Sequence, residues 1–306
     1  MQQYKKIFSI LNEDVICRHK DDELPYYEEI TFHNHNGYEI YLFLCGNANY
    51  YTENGAKHLE RGDLILTPPY AFHYSEAKSS EKYERVFINI KESLLKKLGN
   101  DSIDLSACFS RFSSDALNII HLTEEELRRF TDLTKDLQTS LEQPEYGHEL
   151  LIPALLIQIL VMINKKTISN RSTPYPSIMP NLVQNTIHYI NGHLTEDLSL
   201  QKISDQLHHN RDYINRCFKS ATGIPIHQFI ISKRIIHAQE YLRAGTPPSY
   251  ACYMAGFNNY ANFSRTFSKL LSVKLDAPVL CRLDAPELDF ACCASADCLH
   301  QHLQVI

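Results

Sequence analysis

One short pattern occurs twice in the last third of the chain, and it constrains the fold more than any other feature. Arg216-Cys217-Phe218 is repeated 49 residues later as Arg265-Thr266-Phe267. Each copy ends a segment patterned as a short helix, a tight turn and a second helix. Two such units joined by a long helical segment are typical of proteins that place two helices into the DNA major groove. The repeat therefore predicts an all-α domain over residues 181–272 that binds DNA.

Each unit has an apolar back and a polar front. In the first unit, Ser199 and Asn210 stand where helix N-caps are expected. Helical spacing turns Ile214, Cys217 and Phe218 inward in the second helix of that unit. The residues predicted to face outward are Arg211, Asp212, Asn215, Arg216 and Lys219 in this unit, and Asn259, Asn262, Arg265, Thr266 and Lys269 in the other. Arg pairs with guanine and Asn with adenine in the major groove, which favours base recognition by these faces.

The segment between the units predicts one helix over Ile226–Arg243. Eighteen residues at 1.5 Å each span roughly 27 Å. With its flanking turns, this helix sets the two recognition helices near one DNA turn apart, roughly 34 Å. One chain would then contact two successive major grooves.

Residues 182–271 resemble the DNA-binding domain of the AraC/XylS transcriptional regulators. The matching residues are Ile203-Ser204, Tyr213-Ile214, Arg216, Phe218-Lys219, Gly223, Pro225, Arg234, Ala238, Leu242, Gly256-Phe257, Phe263-Ser264-Arg265 and Phe267. The resemblance implies DNA contacts from both recognition helices, at Arg211, Asp212, Asn215, Arg216, Tyr260, Ala261, Asn262 and Arg265. Ala261 departs from the family pattern, because a long polar side chain often stands there.

Charge is distributed in keeping with a confined phosphate-binding surface. The whole chain has a net charge of −6, yet residues 181–275 contain ten Lys and Arg against five Asp and Glu, a net of +5. A basic module inside an acidic chain fits contact with a phosphate backbone. An ordinary solvated face with this charge is the alternative interpretation.

Residues 30–90 predict a small β-barrel or jelly roll. Short apolar or alternating runs at Ile40–Cys45, Ala48–Glu53, Leu64–Thr67 and Val86–Ile90 are separated by turn signals, among them Asn54-Gly55. Strands at this spacing are typical of small all-β architectures.

A group of ionisable side chains falls within this region. His33-x-His35-x-x-x-Glu39 precedes Gly62, Pro68 and His73, and this pattern resembles the two cupin motifs, whose His and Glu residues bind a divalent metal. Tyr70 stands where the second motif usually has Gly. AraC-type sensor barrels, which residues 30–90 also resemble, often keep such residues without a metal. We expect an effector site without metal or other cofactor, lined by His33, His35, Glu39, Tyr41 and His73, for a small polar molecule such as a sugar; plain packing and a metal site are the alternatives.

Two helical segments follow the barrel. Thr123 and Glu126 form a capping-box pattern before Leu127, Phe130, Leu133 and Leu137. Leu150–Asn164 is apolar on nearly all sides, which requires burial on more than one face. Either this segment forms a homodimer interface, which we favour, or it forms an internal helical layer.

These observations predict an α+β multidomain chain. A cupin-like barrel with a helical dimerisation segment (residues 1–165) and a polar, Pro-containing linker (166–180) precede the double helix-turn-helix domain. Residues 273–306 depart from the family and predict a disordered tail; their Cys and His residues lack the paired spacing of a zinc site. Without a signal-peptide pattern or a run of 18 apolar residues, we expect a cytoplasmic protein that does not insert into membranes.

The function predicted is an effector-responsive transcriptional regulator that binds promoter DNA and is not an enzyme. One rival is a metal-dependent cupin enzyme with an accessory DNA-binding module. The other is an interaction protein whose altered second unit no longer binds DNA.

Overall fold

The described part of the chain consists of a β-rich unit followed by a helical unit. The structure is a computed structural model that describes residues 8–9 (backbone only), 13–23, 31–100, 102–110, 117–169 and 177–271. The predicted tail over 273–306 and residues 170–176 of the predicted linker lie outside these ranges. The predicted domain boundaries therefore remain predictions.

Most of the β-rich unit is built from two antiparallel sheets that face each other. The described residues form ten strands: β1 (Phe8–Ser9), β2 (Val15–Asp22), β3 (Asn34–His35), β4 (Gly37–Cys45), β5 (Ala48–Thr52), β6 (Gly55–His58), β7 (Asp63–Thr67), β8 (His73–Ala77), β9 (Tyr83–Lys91) and β10 (Ile119–His121). One sheet has the order β10-β7-β4-β9-β2 and the other β6-β5-β8, while β1 pairs in parallel with β3. This arrangement is the cupin-like barrel that the sequence predicts.

Strand β4 shows how alternation builds the barrel wall. Ile40, Leu42 and Leu44 face outward into an apolar cluster shared with the helices that follow the barrel. The intervening Tyr41 and Phe43 face inward and pack with Tyr50 and Tyr83. Both faces of this central strand are therefore buried, which explains its nearly continuous apolar sequence.

The four strands predicted from apolar runs are present as β4, β5, β7 and β9. Strands β1, β2, β3, β6, β8 and β10 were not predicted. The outer half of β2 is a charged run from Arg18 to Asp22, and it is held in the sheet by an antiparallel ladder with β9. Such pairing is not visible in an apolar pattern.

Helices cover the outside of the larger sheet. They are α1 (Glu92–Leu98), α2 (Ala107–Ser110), α3 (Glu124–Glu142) and α4 (His148–Ser169). The predicted capping box begins α3: the Glu126 amide donates to Thr123 Oγ1 over 3.3 Å, and the Thr123 amide donates to Glu126 Oε2 over 2.8 Å. Helix α4 runs through residues 166–169, which the sequence assigned to the linker.

One side of α4 forms an internal layer and the other side is exposed. Leu156, Ile159 and Ile163 are fully buried in the cluster that also contains Leu127, Phe130 and Leu137 of α3. Leu150, Leu151, Ile157 and Ile168 remain exposed. By length and composition α4 is also apolar enough to cross a membrane, a test that core helices of soluble proteins pass as well.

The helical unit contains the two predicted helix-turn-helix segments. Its helices are α5 (Asn181–Gly192), α6 (Leu200–Leu207), α7 (Arg211–Thr222), α8 (Ile226–Arg243), α9 (Pro248–Met254) and α10 (Tyr260–Leu271). The bounds of α8 are those predicted for the spacer. Phe229, Ile235 and Ala238 of α8 are fully buried, so the spacer is the central helix of this unit.

Candidate DNA interface and the histidine cluster of the barrel

The first recognition helix, α7, is fixed at both ends by its own sequence. The Asn210 side chain accepts hydrogen bonds from the amides of Asp212 (2.9 Å) and Tyr213 (3.3 Å), which confirms the predicted N-cap. At its C-terminal end Gly223 has φ +74°, a left-handed conformation that suits glycine. Ile214 and Phe218 are buried on the inner face.

The second recognition helix, α10, repeats this design. Asn259 accepts from the Asn262 amide over 2.9 Å, and it stands 49 residues after Asn210. Phe263, Phe267, Leu270 and Leu271 are buried on its inner face. The sequence predicted that Asn259 lies on the outer face of the helix. In the structure its side-chain oxygen accepts the hydrogen bond that caps the helix.

Most of the predicted DNA contacts on α7 lie on its exposed face. Arg211, Asp212 and Arg216 are exposed, and the Arg216 guanidinium lies 5.8 Å from the centroid of the Tyr213 ring. The Nε atom of Arg211 lies 3.8 Å from Asp212 Oδ1, a distance too long for a strong ion pair. Both arginines therefore keep hydrogen-bond donors that face solvent.

Asn215 differs from the prediction that it simply faces outward. It is half-buried, and its Oδ1 accepts a hydrogen bond from the Ile226 amide over 3.2 Å. This contact caps the first turn of α8, which Pro225 cannot cap with a side chain. The Asn215 side chain thus ties the recognition helix to the spacer.

On α10, Tyr260, Ala261, Asn262 and Arg265 are all exposed. The Arg265 guanidinium donates to Asn262 Oδ1 over 2.7 Å, and its Nε donates to the Ala261 carbonyl over 3.2 Å. Three of the four predicted contacts of this helix therefore form one connected polar surface.

Arg234, which matches the family pattern, connects helices of the helical unit and does not lie on a recognition helix. Its guanidinium donates to the carbonyls of Leu194 (2.9 Å) and Glu196 (2.5 Å), in the segment between α5 and α6. It also lies against Gly256, where a Cβ atom would approach Arg234 Nε to 2.9 Å. These contacts hold both units to the spacer helix.

Inside the barrel, the structure brings the predicted effector residues together. His35 Nε2 lies 3.2 Å from Glu39 Oε2, and His73 Nε2 lies 3.5 Å from Glu39 Oε1. The ring of His33 is 4.6 Å from that of His73 between centroids. Glu39, His35 and His73 are buried, and we call these three residues the histidine cluster.

Tyr41 belongs to this site indirectly. Its ring packs on Tyr50 at 5.0 Å between centroids, and the Tyr50 hydroxyl donates to Glu39 Oε1 over 3.1 Å. The Tyr41 hydroxyl itself is hydrogen-bonded to the Tyr83 hydroxyl. Sequence analysis did not identify Tyr50 as part of this site, because only the strand register decides that Tyr50, and not its neighbour Tyr51, faces the cluster.

The protonation of the cluster follows from burial and mutual attraction. Burial alone would raise the pKa of Glu39 and lower that of His73, but the attraction between them reverses both directions. The pKa of Glu39 is therefore held well below its usual range and that of His73 is raised. Burial, with His73 nearby, lowers the pKa of His33 to about 4, so His33 is neutral at pH 7.

The donor set has the composition of a divalent metal site. One ligand atom each from His35, Glu39 and His73 lie within 4.8 Å of one another. The Nδ1 atom of His73 lies 2.9 Å from the Ala71 carbonyl, and its Nε2 atom faces Glu39. The Nδ1 atom of His33 lies 3.2 Å from the Thr31 carbonyl. These residues fit a divalent cation, but the His73–Glu39 pair also balances the charge of the cluster by itself.

A second group with metal-ligand chemistry is Glu60, Asp63 and His121. Asp63 is fully buried, and its Oδ2 accepts from Lys57 Nζ over 2.5 Å and from the Glu60 amide over 2.8 Å. Its charge is already compensated by lysine, so this group is structural.

The fold and its exposed helix faces define a two-part protein: a cupin-like ligand-binding barrel joined to a double helix-turn-helix domain. Residues 15–160 match the model of the AraC-like ligand binding domain, and residues 203–275 match a helix-turn-helix domain. The chain belongs to the AraC/XylS family.

Individual relatives are distant. An uncharacterized HTH-type transcriptional regulator of Staphylococcus aureus is 21% identical over 84% of this chain and 32% of its own length, so the chain spans about a third of that relative. The multiple antibiotic resistance protein MarA of Salmonella typhimurium is 27% identical over 30% of this chain and 72% of its own length. Among solved structures, apo ToxT from Vibrio cholerae covers 86% of this chain and 95% of its own length, at 16% identity and a TM-score of 0.37.

Proposed function

We propose that this chain is a sequence-specific transcriptional regulator that binds promoter DNA. The observation that carries the proposal is the pair of Asn-capped helices, α7 and α10, each with a buried apolar back and an exposed polar front. The proposed DNA contacts are Arg211, Asp212, Asn215, Arg216, Tyr260, Ala261, Asn262 and Arg265. Arginine supplies bidentate donors for guanine, and the exposed Asn262 amide suits adenine. Such a protein acts where promoters are, in the cytoplasm.

We further propose that a small effector binds in the barrel at His33, His35, Glu39, Tyr41 and His73. Aromatic rings beside imidazoles and a carboxylate suit a polar molecule such as a sugar, which stacks on rings and hydrogen-bonds at its edges. The effector acts by shifting the population between states of different DNA affinity. No reaction is required of these residues, and we assign no enzymatic activity.

A homodimer completes the proposal. The exposed apolar side chains of α4 form a surface that a second copy would cover, with α3 and the barrel behind it. Two chains would then present four recognition helices to one operator.

Titration of labelled duplex DNA with the full chain, across salt concentrations, tests the proposal. We expect affinity to fall steeply with salt, because phosphate contacts release counterions. Arg216→Ala should cost about 1–3 kcal/mol and relax base preference at one position. Arg128→Ala, an exposed arginine of α3, is the matched control and should leave affinity unchanged. Binding that is absent, or that ignores salt and Arg216→Ala, would refute the proposed DNA contacts.

A further inference from the structure

The barrel is packed directly against the helical unit at the end of α7. The Phe32 amide donates to the Thr222 carbonyl over 2.9 Å, and the Tyr74 hydroxyl donates to the Ala221 carbonyl over 2.7 Å. A Cβ atom on Gly223 would lie 2.4 Å from Thr31 Cγ2, so the approach is close enough to require glycine. The barrel therefore packs against and hydrogen-bonds to the C-terminal end of the first recognition helix.

The same edge of the barrel also packs on the spacer helix α8. Phe32 and Phe72 are fully buried and lie 6.4 Å and 5.0 Å from the ring of Phe229, between centroids. One turn further along α8, Lys233 Nζ lies 2.8 Å from Glu53 Oε2. The Glu53 side chain is only 9% exposed, and its other oxygen accepts from the Phe72 amide over 3.0 Å. A nearly buried ion pair thus joins the barrel to the middle of the spacer.

A third contact lies at the far end of the spacer. Arg243, the last residue of α8, is hydrogen-bonded to the Tyr70 hydroxyl, and its guanidinium lies 5.0 Å from the centroid of the Tyr70 ring. Tyr70 has φ +64°. A bulky residue in this left-handed conformation persists only where its surroundings hold it. The barrel therefore contacts α8 from its first turn to its last residue, next to the second helix-turn-helix unit.

Residues 70–74, which supply three of these contacts, also form one wall of the histidine cluster. The Tyr70 amide donates to the His35 carbonyl over 2.7 Å, and His33 and His73 exchange backbone hydrogen bonds of 3.0 Å and 3.2 Å. Tyr70, Phe72 and Tyr74 contact the helical unit, whereas the His73 side chain lies in the cluster. One short segment is thus shared by the two functional parts.

We propose that residues 70–74 couple the state of the histidine cluster to the spacer helix α8, and through it to the placement of the two recognition helices. A ligand that moves His73 or His35 displaces the same backbone that positions Tyr70 and Phe72. The Tyr70–Arg243 and Glu53–Lys233 contacts pass this displacement to both halves of the spacer. The proposal specifies the regulation of the effector site and rests on the proposed function.

A double-mutant cycle on the DNA affinity of the full chain tests the coupling. Glu39→Gln changes the cluster with little change of shape, and Tyr70→Phe removes the hydroxyl that bonds Arg243. Substitutions at distant, independent sites have additive effects on the free energy of binding, so their fold-changes in DNA affinity multiply. If the sites are coupled, the affinity of the double variant should differ from that product by about fivefold or more. Glu92→Gln, the same chemical change in α1, replaces Glu39→Gln in the control cycle and should give a simple product.

Amide hydrogen exchange supplies a readout that does not depend on DNA. In Glu39→Gln we expect faster exchange in the last turn of α8, around Arg243, and no change there in Glu92→Gln. If Glu39→Gln does not fold, Tyr50→Phe removes a hydrogen bond to Glu39 and takes its place.

The outcomes separate the two proposals. If the effects of the substitutions on DNA affinity are additive, or if amide exchange at the end of α8 is unchanged, the coupling proposal is wrong. The proposed DNA binding is not affected by either result. Faster exchange there in a chain that binds no DNA supports the coupling and refutes the proposed function.

Discussion

The protonation of the histidine cluster leads to a prediction about metal. The attraction between Glu39 and His73 lowers the pKa of the carboxyl group and raises that of the imidazole, against the effect of burial, so the cluster contains its own partner for the Glu39 carboxylate. We expect the purified chain to hold well under one equivalent of iron, manganese or zinc by elemental analysis. His35→Ala should not change that content, and neither should His58→Ala, an exposed histidine outside the cluster.

One equivalent of metal that disappears in His35→Ala but persists in His58→Ala would contradict this prediction. It would instead favour the rival interpretation, a metal-dependent cupin enzyme with an accessory DNA-binding module.

The histidine cluster could be predicted only in part from the sequence. His33 and His35 are two positions apart, so alternation along an extended chain places them on one side. Their distances to Glu39 and His73 depend on how distant strands pair, and Tyr50 was missed for the same reason. The half-buried, capping position of Asn215 was not expected, because it depends on how α7 packs against α8.

Among the elements, helices were predicted more closely than strands. The bounds of α8 and the caps of α3, α6 and α7 follow from local signals, since a helix is closed by residues within one turn of its end. Strands β2 and β8 are rich in charged and polar residues, and they are strands because distant partners pair with them. That information is not contained in a local window of sequence.

Helix α4 exposes an apolar surface that is available for association of two chains. The exposed Leu150 and Ile157 are two turns apart on one side of the helix, so a second copy can cover both. Leu150→Glu should weaken association by about tenfold or more, because a buried Leu contributes roughly 1.5–3 kcal/mol. Sedimentation of the full chain over a range of concentrations measures this change.

The matched control is Ile103→Glu, which places the same charge at an exposed apolar residue outside α4. A wild-type chain that sediments as a monomer at all concentrations, or equal effects of the two variants, would count against dimerisation through α4.

At the scale of the whole molecule, the barrel and the helical unit share an apolar cluster. Phe32, Phe72 and Tyr74 of the barrel are buried with Phe218 and Phe229 of the helical unit. The Pro-containing linker indicated two successive units. The sequence correctly predicted that the first contains a β-barrel and that the second is helical. It could not indicate how they pack, because the contacts join residues that are far apart in the chain, 147 positions in the case of Tyr74 and Ala221.

We propose that one chain inserts α7 and α10 into consecutive major grooves. Selection of binding sites by the full chain from a pool of randomised DNA duplexes tests this proposal. We expect enriched sites with two conserved boxes whose centres lie about one helical turn, roughly 10–10.5 base pairs, apart. We also expect Arg216→Ala to relax one box and Arg265→Ala to relax the other. Enriched sites with a single box, or a pool that shows no enrichment, would show that the two helices do not bind DNA in this way.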